Sequence, residues 1–305
     1  MDTVLSRSTT LTFGHSNQKD AFQCGRESAQ MAKSQLPDSK FDLILAVGPS
    51  SAHFQDFIEG VRLVTGETGL IGFPSHPIFT NDLYLALGGL VILIQSDMLH
   101  FSLASTELVE NNHNAAFTSL VSQHRESRGN ICHQYEFHGM WVIDNVGVSD
   151  NKPMIQHATV EAGLDAWVVG LTPPVHHPLP LLCQDRVINK GLIGIEALST
   201  SPVGIGTVAI GEFDHKPTLY REAVKSALRE ATTQMSSPPA AGFLLFDFPV
   251  DAKVVADLQS ALRQKDSPLR DHPLIGLTTH RHAVKYINRS GSVLKETVIA
   301  LLLPQ

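Results

Sequence analysis

The residues best placed to do chemistry are histidines that end short apolar strands. LIGFPSH at 70–76, AWVVGLTPPVH at 166–176 and PLIGLTTH at 273–280 each run from a hydrophobic stretch through Gly into a loop that closes on His76, His176 or His280. His177 and His282 lie beside the last two. If the three loops converge, the neutral imidazoles His76, His176 and His280 suit a divalent transition metal such as zinc with one position left open to water. A single axial histidine suffices for haem, and with no CxxCH attachment motif a haem is held non-covalently. The competing reading is that these are exposed loop histidines in a His-rich chain.

A second set sits at other strand ends. Ser50 and Ser51 follow the apolar run LILAVG, Asp144 and Asn145 follow MWVI, and Asp247 and Asp251 follow FLLF. Open α/β sheets place ligand groups beyond the carboxyl ends of strands and at helix starts. With Ser75 and Thr279 from the histidine loops, such a cleft carries hydroxyl, carboxylate and amide groups. Helix capping by Ser and Asp accounts for the same residues without any ligand. Ser75 and His76 are sequence neighbours, which does not make them a nucleophile and base, because that pair needs facing side chains. No GxSxG elbow, Walker loop or GxGxxG fingerprint occurs. The segment HRESRGNICHQYEFH at 124–138 holds His124, Cys132, His133 and His138, but its spacings match no zinc pattern and it reads as a loop.

The elements that must position these residues recur along the chain. The signature glycines Gly72, Gly170 and Gly276 are spaced 98 and 106 residues apart. Before each signature comes a short strand (TLTFG, HFSLAS or GTVAIGEF), a helix with apolar spacing of three and four, a buried strand and, most clearly in the last copy, a second amphipathic helix. After it comes one long closing strand: LALGGLVILIQ (85–95), VINKGLIGIEAL (187–198) or VLKETVIALLL (293–303). The spacing therefore predicts an α/β fold of three diverged β-α-β-α-β-β repeats over 1–97, 98–200 and 201–305. They pack about a pseudo-threefold axis or form a two-lobed body.

With 43% hydrophobic and 17% charged residues, the composition is that of a globular protein with a substantial core. A formal charge of −7 without a basic block argues against nucleic acid as a partner. The amino terminus does not read as a signal peptide, and the apolar runs are too short to span a bilayer, so no membrane association and a cytoplasmic location are expected. Cys24, Cys132 and Cys183 read as free thiols.

TFGHSNQKDAFQCGRESAQMA with DLILAVG, LIGFPSH and LGGLVILI resembles the amino-terminal part of FIST-domain proteins, and VGIGTVAIGEFDHKPTLYREAV at 203–224 resembles the start of their carboxy-terminal region. The resemblance implies a sensory module that binds a small ligand, such as an amino acid, or haem in a nitric oxide sensor. It implies signalling through a separate output partner such as a kinase or cyclase, or through self-assembly. Where that family tends to carry Gly-Cys-Ser-Thr, this chain has Gly72-Phe73-Pro74-Ser75-His76-Pro77, so the family's ligand does not transfer with it. The alternative reading is a hydrolase, metal-dependent or not, using the cleft between the repeats.

Overall fold

Leucine, isoleucine and valine runs buried on both faces form the strands at the centre of a computed structural model. It describes residues 8–36, 40–49, 53–108, 112–129, 131–145, 166–173, 180–210, 217–247, 250–265, 267–279, 281–285, 292–294 and 297–305. The fold is α/β, with three mixed six-stranded sheets and, among the described residues, five α-helices.

The first sheet has the order β1 (Thr9–Ser16), β6 (Gly89–Ser96), β2 (Leu43–Gly48), β3 (Leu70–Pro74), β10 (Leu181–Cys183) and β11 (Arg186–Ile188). The second has β17 (Ser292–Leu294), β16 (Arg281–Lys285), β9 (Ala166–Thr172), β8 (Phe137–Asp144), β12 (Gly191–Ser199) and β7 (Leu99–Glu107). The third has β13 (Gly204–Ala209), β18 (Thr297–Pro304), β14 (Pro239–Phe246), β15 (Leu274–Thr278), β4 (Ile78–Thr80) and β5 (Tyr84–Leu85). In every sheet four strands come from one third of the chain and a two-stranded hairpin comes from another. The first third lends β4–β5 to the third sheet, the second lends β10–β11 to the first sheet, and the last lends β16–β17 to the second.

This exchange corrects the expected β-α-β-α-β-β order. Each apparent long closing strand is two strands in different sheets. In 85–95 the break falls at Gly88, whose φ of 124° favours glycine, so Leu85 ends β5 and Gly89 begins β6. In 187–198 it falls at Asn189–Lys190. In 293–303 it falls between Leu294 and Thr297.

The helices α1 (Ala21–Ser34), α2 (Phe54–Thr65), α3 (His113–Arg128), α4 (Pro217–Thr233) and α5 (Ala252–Leu262) lie against the outer sheet faces. Asp20 caps α1 by accepting from the Gln23 amide, and Asp251 caps α5 by accepting from Val254. Asp251 is thus a cap, as the competing reading has it. The helix expected near 105–125 begins eight residues later, at His113, because β7 runs on to Glu107. The 124–138 segment is not a plain loop: His124 is in α3, Cys132 and His133 form a 3-10 turn, and His138 lies in β8.

The inner faces of all three sheets share one apolar core. At its middle, Leu45, Ile143 and Leu245 meet Phe73, Leu171 and Leu277, around a residual space of about 20 Å³ with almost no polar lining. That is room for a single water with nothing to bond it. The centre of the molecule is filled by side chains.

Candidate functional site

Strand alternation fixes what closes one end of this core. Two residues beyond Phe73, Leu171 and Leu277 stand Ser75, Pro173 and Thr279, and two beyond Ile143 and Leu245 stand Asn145 and Asp247. Four of the predicted site residues therefore form a polar layer over the apolar centre.

Among the described residues, their side chains bond to backbone. The Asn145 amide donates to the carbonyls of Ile188 and Asn189, each at 3.0 Å, and its Oδ1 accepts from the Gly191 amide at 2.9 Å. Asn145 thereby fixes the turn at which the chain leaves β11 in the first sheet and enters β12 in the second. Asp247 makes the matching contact, its Oδ1 accepting from the Thr297 amide at 2.6 Å. In the first third this place falls to Pro49, which offers neither a side-chain acceptor nor an N–H. Thr279 donates through both its amide and its hydroxyl to the Phe246 carbonyl, at 2.7 and 3.2 Å. Asp144, 1% exposed, faces the other way, toward the helix side with Met140 and Val142.

The histidine loops are the points at which the chain passes from one sheet to another. Residues 75–77 link β3 in the first sheet to β4 in the third, 173–180 link β9 in the second to β10 in the first, and 279–280 link β15 in the third to β16 in the second. At the first crossing the Ser75 hydroxyl donates to the Thr278 carbonyl at 2.8 Å, bonding one sheet's end to another's. His76 follows, before a cis bond to Pro77. Burial holds its imidazole down at about 4, so it is neutral near pH 7, and among the described residues neither ring nitrogen has a hydrogen-bond partner although both are shielded from solvent. Ser50, Ser51, His176, His177 and His280 lie outside the described residues, as does the side chain of His282. Among the described residues, no group of three or more His, Cys, Asp or Glu is placed to hold a metal.

A second polar cluster escaped the sequence reading. Under α3, the Ser102 hydroxyl lies 2.8 Å from His124 Nδ1 and 3.2 Å from Glu196 Oε2, while Arg128 Nη2 pairs with Glu196 Oε1 at 2.8 Å. With Ser102 donating to the carboxylate, its oxygen is left to accept from His124 Nδ1–H. Burial, reinforced by the Arg128 charge, holds His124 down at about 4, and burial also raises Glu196 despite its partners. His124 fits only because Gly194 lies below it: a Cβ there would be 2.5 Å from Nε2. The available signals were the i,i+4 spacing of His124 and Arg128 and one carboxylate in the apolar strand GLIGIEALS. The ring is fully buried, so this cluster is a structural lock beneath a helix.

No protein-family model matches the chain, and no curated protein matches it. Among solved structures it is similar to the cyanuric acid hydrolase from A. caulinodans, with 9% identity and a TM-score of 0.44 over 98% of this chain and 100% of that one. A likeness at that level carries no argument about mechanism. Among the described residues, no helix is long and apolar enough to cross a membrane.

Proposed function

We propose that this chain is a small-molecule-binding sensory protein of the kind the FIST resemblance implies, with its ligand site at the sheet-crossing loop around His76 and its output carried by a separate partner such as a kinase or cyclase. The observation that carries this reading is the state of His76. A shielded, neutral imidazole whose nitrogens are both unengaged by the described residues loses hydrogen bonds to water without replacing them, a cost on the order of 1–3 kcal/mol that a ligand would relieve. Ser75 bonds the Thr278 carbonyl and Thr279 the Phe246 carbonyl, so the sheet ends at this crossing are already ordered for a ligand. The hydrolase reading draws no support from Ser75, whose hydroxyl is bonded to the Thr278 carbonyl rather than to a base.

The test is a thermal-shift screen of amino acids and other small polar metabolites on wild type and His76→Ala, preceded by metal analysis and an absorption spectrum of the purified chain. A ligand at 100 times its Kd adds about 2.7 kcal/mol of stability. The expected result is a ligand that shifts wild type and leaves His76→Ala unshifted. Equal shifts in both proteins place the ligand elsewhere and refute the role of His76. Bound haem or metal would identify the ligand directly.

A further inference from the structure

Helices α1 and α2 interlock because two glycines let their backbones touch. A Cβ on Gly25 would sit 2.0 Å from the Phe57 carbonyl oxygen, and one on Gly60 would sit 2.0 Å from that of Phe22. The corresponding pair on the third sheet, α4 and α5, contains no glycine. Side chains hold these helices apart, and a furrow of about 180 Å³ opens between them.

The furrow is chemically lopsided. Val224, Leu228, Ala261 and Leu262 form an apolar floor, with Pro268 at one end. Along α4 runs a row of cations at i,i+4 spacing, Arg221, Lys225 and Arg229, of which the last two line the furrow. Their counter-groups fade along the row. Arg221 faces the Asp257 carboxylate at 3.7 Å, and among the described residues Lys225 meets only the neutral Gln264 amide, at 2.9 Å. Arg229, exposed on the rim, has no hydrogen bond or ion pair among the described residues. Thr232 and Ser267 also line the furrow, the Thr232 hydroxyl donating to the Leu228 carbonyl at 2.7 Å. Among the described residues, the cations of this apolar trough therefore have no acidic partner, on a chain whose net charge is −7.

We infer that this furrow is a second ligand site, separate from the His76 loop, for a small amphipathic carboxylate: a monoanion with an aliphatic or aromatic tail of roughly six to eight carbons. An apolar cavity of about 150 Å³ takes up benzene, so the space present here accepts a tail of that order on the floor. The carboxylate then reaches Arg229, whose planar fork matches two oxygens, with Lys225 one turn away. A cation of the same shape meets two like charges and is rejected, and a dianion pays for a second desolvated charge with no third free cation in the row.

The experiment is calorimetric titration of the full-length protein with octanoate below its micelle concentration, beside octylammonium as the charge-reversed probe. The expected result is saturable octanoate binding, no octylammonium binding, at least a tenfold loss in Arg229→Glu, and abolition in Thr232→Phe, which fills the half-buried rim. Absent octanoate binding, or equal binding of the two probes to wild type, overturns the inference, and that comparison needs no variant to fold. Unchanged affinity in Arg229→Glu overturns the carboxylate assignment. His76→Ala should leave octanoate affinity unchanged, which keeps this site's failure distinct from that of the His76 loop.

Discussion

Acidification should unfold this protein through two histidines, and the loss can be worked from their positions. His76 and His124 are each held down at about 4 by burial, against 6.5 for the free side chain. The unfolded chain therefore takes up a proton near pH 6.5 that the folded chain refuses until about pH 4. The stability these neutral rings contribute is fully present above 6.5 and is lost as pH falls toward 4. Between pH 7 and 5 each ring costs about 2 kcal/mol, and the pair about 4 kcal/mol, a large part of a typical margin of about 5–15 kcal/mol. Across that window the two together give an average slope of about 2 kcal/mol per pH unit, steepening to roughly 2.5 near pH 5. Glu196 acts in the opposite sense, because a raised carboxyl pKa favours the folded state as pH falls toward its unfolded value. The assay is urea unfolding followed by circular dichroism at half-unit pH steps from 7.5 to 4.5. His76→Gln and His124→Gln should each remove close to one proton of uptake and reduce the slope by about 1.2 kcal/mol per pH unit. Slopes identical to wild type in both variants would show that neither ring is kept neutral by the fold.

Asn145→Ala strips three backbone contacts at a sheet crossing and leaves buried groups unpaired, so equilibrium unfolding should register a loss of about 2–4 kcal/mol. Glu196→Gln removes the charge opposite Arg128 beneath α3 and should lower stability by about 3 kcal/mol in the same measurement, whereas breaking the longer, half-buried Arg221–Asp257 pair should cost about 1 kcal/mol. Gly60→Ala drives a methyl into the Phe22 carbonyl and should lower Tm by several degrees in a thermal melt. Under native conditions a thiol reagent should modify exposed Cys132 rapidly, while buried Cys24 and Cys183, the latter pushed up to about 11, react only on unfolding.

The α/β class was legible because its signals are local. The buried strands read as unbroken apolar runs, and the spacing of Gly72, Gly170 and Gly276 marks three strands that occupy like positions in their sheets. The exchanged hairpins were not legible, since β4 and β10 have three residues each and pair with strands about a hundred or more positions away. Nothing in TNDLYLALGGLVILIQ announces that Leu85 and Gly89 belong to different sheets. The strand-end residues were found by place, but their tasks were not. Asn145 and Asp247 look like ligand groups in sequence, and only the register of β12 and β18 reveals the amides they hold. His124 was read as part of a loop because α3 starts later than its weak periodicity suggests, and the partner that explains it, Glu196, is 72 residues away.

The lending of hairpins has a consequence for how the molecule comes to exist. Emerging from the ribosome, β4 and β5 have no sheet to join until β15 is made, near the other end of the chain. Until then the first third carries an unpaired ribbon, and the third sheet lacks its edge. Each third waits on another in a closed circuit, so no single third contains a finished sheet. The first sheet can close once β11 is made, but the second and third wait for the last third of the chain and for contacts distant in sequence, which are slow to form. A nick or deletion in any crossing loop should be felt in two sheets at once.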